Sequence, residues 1–148
     1  MLYVITGPPA AGKSSWIDAR ATARDIVIDL DRITQALTGP GAPAWNQDPV
    51  AIKVAHRARY AAIDEAVKHV GQVDVYLIHT MPSAKWLARY QRHGAEIVTV
   101  DPGRDIVLQR VRDMRSPALL AVATRWYAQQ SKRRQIGKAT GRQASRHW

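Results

Sequence analysis

The sequence predicts an α/β fold in three layers, a short parallel sheet of about four strands flanked by helices. Two observations predict it. Short apolar or β-branched runs alternate with amphipathic segments along the chain, and strands joined through helices run parallel, with right-handed crossovers. The first apolar run, Leu2 to Thr6, leads straight into Gly7-Pro8-Pro9-Ala10-Ala11-Gly12-Lys13-Ser14. That is a strand, a loop of the form GxxxxGK[ST] and a helix start, the context a phosphate-binding loop requires. In such sheets ligands gather at the carboxyl ends of the strands, so every polar residue that follows a strand is a site candidate.

Each element has its own signal. Leu2 to Thr6 reads as a buried parallel strand. A helix is expected from Lys13 to about Ala23, with Trp16 and Ile17 facing inward. Asp25-Ile26-Val27-Ile28 is a short second strand ending at Asp29-Leu30-Asp31, and Ile33 and Leu37, four apart, mark a helix that stops at Gly39-Pro40. Gly39 to Pro49 is a long loop rich in Pro and Gly and therefore a functional candidate. Val50 to Val70 keeps a helical period of apolar residues, with Lys53, Arg57, Arg59 and Lys68 read as lying mostly off the apolar stripe. Val73 to Ile78 is the third strand, Pro82 to Arg92 a helix closed by Gly94, and Glu96 to Val100 the fourth strand. A helix follows Asp101-Pro102-Gly103 through about Arg115. The last starts with Ser116 as N-cap and Pro117 at the first helical position.

Composition narrows the class. The 148 residues make one domain, without room for a second catalytic one. Cysteine is absent, which excludes disulfides and thiolate metal sites. No window approaches a membrane span and no basic leader precedes the first strand, so a cytoplasmic protein with no membrane contact is expected. The net charge is +10, and Lys132, Arg133, Arg134, Lys138, Arg142 and Arg146 fall after Ser131 with no acidic residue among them. Residues 1–130 therefore read as the catalytic domain and 131–148 as a basic arm, flexible by composition. Such an arm either contacts nucleic acid phosphate or serves only as a solvated tail. Trp126 and Tyr127 beside it add an aromatic element to that track.

The loop's chemistry follows from its spacing. Gly7 and Gly12 admit backbone angles that turn successive N–H groups onto phosphate, reinforced by the positive end of the following helix. Lys13 is the point charge for the β and γ phosphates, and the Ser14 hydroxyl is placed to ligate Mg²⁺. This is a complete Walker A sequence, and ATP is the expected ligand of Gly7, Pro8, Ala10, Ala11, Gly12, Lys13, Ser14 and Ser15. Asp29 and Asp31 follow the second strand at the same edge. Two carboxylates beside a Mg-triphosphate divide the work: Asp29 with Ser14 on the metal side, Asp31 as the group that takes the proton of an attacking hydroxyl. Structural alternatives exist for both, since Asp31 precedes a helix and suits an N-cap, and Asp29 suits a surface position at a strand end.

These residues resemble the small P-loop kinases. Gly7 to Ser15, the Asp29-Leu30-Asp31 strand end and the arginine-rich helix after the fourth strand are similar in layout to phage polynucleotide 5′-hydroxyl kinase domains and their AAA-like relatives. Shikimate and gluconate kinases share the Asp-x-Asp, and Ser14-Ser15-Trp16 resembles the polynucleotide kinase version of the loop. The resemblance covers about residues 1 to 130. It implies a P-loop NTPase sandwich with strand order 2-3-1-4, and ATP and Mg²⁺ as cofactors. It also implies that Asp31 activates the acceptor hydroxyl. In that family an arginine three residues after this acid holds substrate phosphate; here the position is Thr34, with Arg32 the nearer substitute. An arginine pair on the lid helix clamps the nucleotide phosphates in such kinases. Arg110, Arg112 and Arg115 fall in the matching segment, and Arg110 and Arg115 are the expected catalytic pair beside Lys13 and Asp31, their forked donors suited to charge spreading over phosphoryl oxygens.

The third strand departs from many P-loop proteins by ending in His79-Thr80 rather than an acid. His79 reads as a local hydrogen-bonding residue or as a group near substrate. Trp45, Asn46, His56, Arg57, Arg59 and Tyr60 fall where small kinases build the acceptor pocket, Trp45 as a base-stacking ring or as a plug under the loop. The expected function is transfer of the γ-phosphoryl of ATP to a nucleoside, nucleotide or nucleic acid end. The alternative is a nucleotide-dependent binding protein or weak ATPase without acceptor chemistry.

Overall fold

The computed structural model describes residues 1–114 and 116–144, with side chains through residue 136. Ten elements follow in order: β1 (Leu2–Thr6), α1 (Lys13–Asp18), β2 (Ile26–Ile28), α2 (Leu30–Ala36), α3 (Pro49–Ala66), β3 (Val75–Ile78), α4 (Ala84–Arg92), β4 (Glu96–Thr99), α5 (Arg104–Asp113) and α6 (Pro117–Ala144). The sheet is four-stranded and parallel throughout, in the order β2-β3-β1-β4. The expected strand order and the parallel α/β sheet flanked by helices are those observed.

The chain divides into two compact units, one of Met1–Thr6 and Gly12–Val100, the other of Gly7–Ala11 with residue 101 onward. In the first, the pleat sorts side chains onto two faces. Leu2 and Val4 of β1, Val75 and Leu77 of β3 and Ile28 of β2 pack with Ile63, Ala66, Val67 and Tyr90, under α3 and α4. The alternate positions Tyr3, Ile5, Val27, Tyr76 and Ile78 pack with Trp16 and Ile17 of α1. Both faces are thus apolar, and the strands read as nearly continuous hydrophobic runs. Leu77 is 1% exposed, so its truncation to alanine costs about 2–5 kcal/mol.

Helix ends follow their capping chemistry. Asp48 caps α3 by accepting from the Val50 N–H at 2.8 Å, with Pro49 inside the first turn; Pro49 therefore opens the helix rather than closing the loop. Ser83 caps α4 by accepting from the Trp86 N–H. Several expected helices are shorter than their apolar periods. α1 stops at Asp18, where the Arg20 and Ala21 N–H groups both turn back to the Ile17 carbonyl and Thr22 donates to Asp25. α3 stops at Ala66, giving way to tight turns at Lys68 and His69.

In the second unit α5 and α6 pack together, with Val107, Val111, Ala123 and Trp126 buried. The Ser116 hydroxyl accepts from the Leu119 N–H, and Pro117 begins α6 as its sequence implies. The helix continues through Ala144, into the segment read from composition as an arm. Lys138 and Arg142 have undescribed side chains, and Arg146 lies outside the described residues. No helix among the described residues is long and apolar enough to cross a membrane.

Candidate active site

In the first unit, Lys13 opens α1 directly after Gly12, which takes a left-handed φ of 96° that a side chain would strain. The lysine is 9% exposed. Burial pulls its ammonium down to about 8, while the negative charges of Asp29 and then Asp31 oppose the shift. The two carboxylates stand at the carboxyl end of β2. Their register follows from the sheet, where Ile28 pairs with Leu77 and β3 pairs in turn with β1.

Asp29 and Asp31 have different neighbours. Asp29 is buried, caps α2 by accepting from the Asp31 N–H at 3.1 Å, and turns its other carboxylate oxygen toward the Ser14 hydroxyl at a long 3.4 Å. Asp29, not Asp31, is therefore the N-cap, because its backbone is extended (φ −133°) while Leu30 is already helical. Asp31 sits in the first helical turn with its side chain accessible to solvent. Partial desolvation, and then the Asp29 charge, push its carboxyl above the ordinary range, with Lys13 pulling the other way.

Thr34 is fully buried and donates back to the Leu30 carbonyl at 2.7 Å. Its hydroxyl is spent within α2, and Arg32 is exposed. Gln47, in the long loop, is 8% exposed and donates to the Asp31 carbonyl at 3.1 Å and to the Ala44 carbonyl, fastening the loop to the first turn of α2. Trp45 on that loop is 39% exposed, too open for a plug.

The end of β3 carries a second polar group. Arg59 is 6% exposed and donates to the Ile78 carbonyl at 3.0 Å. The Tyr90 hydroxyl lies 2.8 Å from Nδ1 of His79, within reach of the Arg59 charge. Burial, followed by the Arg59 charge, lowers His79 to about 4, and burial raises Tyr90 to about 12. Trp86 stacks on Tyr60 with centroids 5.8 Å apart and packs beside Tyr90 and His79.

Arg59 does not lie off the apolar stripe of α3, as its sequence context suggested. Ala55, Arg59, Ile63 and Ala66 form the buried face, and the spacing 4, 4, 3 is the signal that would have found it. Gln47 had no comparable signal, since nothing local announces its contact with the Asp31 carbonyl.

In the second unit, the loop segment Gly7–Ala11 is tied to α5 by Arg110, whose Nη1 donates to the Ala10 carbonyl at 3.0 Å. Ala10 has φ 58°, an uncommon angle for a residue with a side chain. Arg112 is exposed on the last turn of α5, and Arg115 lies outside the described residues. Trp126 is 3% exposed and Tyr127 donates to Asp101 at 2.7 Å. These two rings serve packing and loop anchorage rather than an open stacking track.

Neither a protein-family model nor a curated protein matches the chain. A chain in the solved structure of the Pnkp1/Rnl/Hen1 complex has a similar fold, with a TM-score of 0.51 at 16% identity over 74% of the present chain and 38% of that chain. The present chain thus spans 38% of the length of the solved one, and a likeness at this identity is a likeness of fold.

Proposed function

We propose that the protein is an ATP-dependent phosphotransferase of the P-loop kinase type, moving the γ-phosphoryl of ATP to a nucleoside, nucleotide or nucleic acid end, in the manner of a polynucleotide kinase. One observation carries the reading: a buried lysine, at the end of a GxxxxGK[ST] sequence, electrostatically coupled to two carboxylates delivered by the neighbouring parallel strand. The fold shared with a chain of the Pnkp1/Rnl/Hen1 complex supports it.

In this reading Gly7, Pro8, Ala10, Ala11, Gly12, Lys13, Ser14 and Ser15 receive ATP, and Lys13 is a cation held ready for the phosphates. Its lowered affinity for a proton reflects an unfavourable environment for charge, which a polyanion would relieve. The Ser14 hydroxyl and Asp29 carboxylate are hard oxygen donors that fit Mg²⁺, and among the described residues no cluster of three metal-ligating side chains offers another place. When bound, the ion neutralises phosphate charge.

Asp31 is the base. The acceptor oxygen attacks the γ-phosphorus, the bond from that phosphorus to the β–γ bridging oxygen breaks, ADP leaves, and the acceptor proton passes to the Asp31 carboxylate. A carboxyl held above its ordinary range accepts that proton better than an unperturbed one. Arg110 and Arg115 are assigned to the developing phosphoryl charge on the sequence resemblance, and the basic segment after Ser131 to contact with a nucleic acid acceptor.

The test is transfer of labelled γ-phosphate from ATP by wild-type and Asp31→Asn protein to nucleosides, nucleoside monophosphates and 5′-hydroxyl oligonucleotides. Label in an acceptor, lost in the variant, is expected. Label appearing only as free phosphate, at equal rates in both proteins, would overturn the kinase reading in favour of an ATPase.

A further inference from the structure

Both polar groups of the Asp31 backbone are held by the side chains of other residues. Its N–H donates to the Asp29 carboxylate at 3.1 Å, and its carbonyl accepts from the side-chain amide of Gln47 at 3.1 Å. One residue earlier, the Leu30 carbonyl accepts from the Thr34 hydroxyl at 2.7 Å. Inside an α-helix such carbonyls already receive the amide four residues on, so these side-chain donors are additional. α2 has only seven residues, too few to hold its shape alone. Its first turn therefore depends on ties of this kind.

Gln47 reaches beyond α2 as well. The same nitrogen donates to the Ala44 carbonyl at 3.2 Å, since a side-chain amide has a pair of hydrogens to give. One NH₂ group thus joins the peptide before Trp45 to the residue that carries the candidate base. Gln47 is 8% exposed, whereas Trp45, Asn46 and Asp48 on either side of it are exposed. The chain passes inward through Asn46, at a φ of 54° that asparagine tolerates better than most residues. With the Asp31 backbone held at both ends, only its side-chain torsions are left to place the carboxylate.

We propose that Gln47 is a positioning residue for Asp31 and couples it to the loop of residues 39–49, so that the base is held for transfer only while that loop is seated on α2. A catalytic group misplaced by about 1 Å loses on the order of 10²-fold in rate, and a backbone tie acts on that scale. The inference rests on the kinase reading for what Asp31 does, but the tie itself is independent of transfer.

Two measurements on the full chain separate the tie from the chemistry. The first is amide hydrogen exchange in wild type and in Gln47→Met, which keeps the length of the side chain without its donors. The Gln35 N–H faces the Asp31 carbonyl along the helix and reports the first turn. Exchange should rise about tenfold or more at Gln35 and across the loop together, while the amides of β1 and β3 keep their wild-type rates. A rise confined to the loop would overturn the proposal. So would exchange of the wild-type Gln47 side-chain protons at the rate of a free amide, a result that needs no variant to fold.

The second is transfer of labelled γ-phosphate from ATP to nucleosides, nucleoside monophosphates and 5′-hydroxyl oligonucleotides. In Gln47→Met kcat should fall about tenfold or more, with affinity for a non-hydrolysable ATP analogue within a few fold of wild type. Equal losses of kcat and of analogue affinity would make Gln47 a support for the fold, and an unchanged kcat would leave it an anchor for the loop; either result overturns the proposal. Failure of the kinase reading has a separate signature, namely no label in any acceptor with wild-type protein, and exchange at Gln35 then still decides whether Gln47 ties the loop to Asp31.

Discussion

Nδ1 of His79 lies 2.8 Å from the hydroxyl of Tyr90, and the direction of this bond goes with the tautomer of the imidazole. The Tyr90 side chain is buried and its O–H needs an acceptor, which Nδ1 supplies when the histidine carries its proton on Nε2. The ring is neutral at pH 7 because burial holds it near 4. Nitrogen NMR of the ring should show the Nε2–H tautomer at pH 7. An Nδ1–H tautomer would reverse the assigned direction of the bond.

The same depression makes stability depend on acid. The unfolded histidine titrates near 6.5, so between that value and about 4 the unfolded chain binds the extra proton and stability rises with pH. The contribution is complete above about 6.5 and is lost as pH falls through the window. Asp31 acts in the opposite sense, since its raised carboxyl binds a proton more readily in the folded state than in the unfolded. Urea unfolding between pH 7 and 5 should therefore be compared with His79→Gln, which is expected to have a flatter profile. An equal slope in the two proteins would remove His79 as the source.

Lys13 links binding to alkaline pH. With its ammonium near 8 in the free protein, nucleotide affinity should hold below pH 8 and fall by up to about tenfold per unit above it, because the phosphates bind the charged form. Calorimetry at pH 8.5 in buffers of different ionisation enthalpy should detect proton uptake on ATP binding. Lys13→Met should abolish binding yet raise the stability of the free protein at pH 7, on the order of 1–2 kcal/mol, by removing a buried charge. Loss of stability together with binding would mean that the lysine serves the fold.

Asp29 serves both a helix and the metal side, and two substitutions separate these. Asp29→Asn keeps a side-chain oxygen for the Asp31 N–H but removes the charge facing Ser14. Thermal stability should change little, while the Mg²⁺ concentration needed for half-maximal activity rises severalfold. Asp29→Ala loses the cap as well, with a further cost of about 1 kcal/mol. Equal Mg²⁺ requirements in wild type and Asp29→Asn would confine Asp29 to capping.

What the sequence made legible was local. The parallel sheet followed from alternation and from the loop after β1, because both are written in consecutive residues, whereas its order came with the family resemblance. Lys13, Ser14, Asp29 and Asp31 were legible as a group because the second strand delivers its carboxyl end to the same edge as the first. Which aspartate caps α2 depended on a single backbone angle at Asp29, and no residue pattern distinguishes two acids two positions apart. Arg59 was misread because a charge on a helix was assigned to solvent, although its spacing from Ala55 and Ile63 placed it on the buried face. Gln47 and the His79–Tyr90 pair depend on contacts far apart in sequence.

Arg110 makes the last prediction, because its hydrogen bond to the Ala10 carbonyl already joins α5 to the loop segment that follows Gly7. A guanidinium that stabilises the transferred phosphoryl acts on kcat, whereas one that merely holds the loop acts on ATP binding. Arg110→Lys retains the charge but loses the planar fork. For a catalytic role kcat should fall about 10²–10³-fold, with the KM for ATP within a few fold of wild type, and Arg110→Ala should fall at least as far. A rise in KM at constant kcat would make Arg110 a positioning residue for Ala10, whose φ of 58° needs support from outside the loop. Ala10→Gly, which removes that backbone strain, should then restore ATP binding in the Arg110→Ala background, whereas it would restore nothing to kcat if the guanidinium acts on the phosphoryl itself.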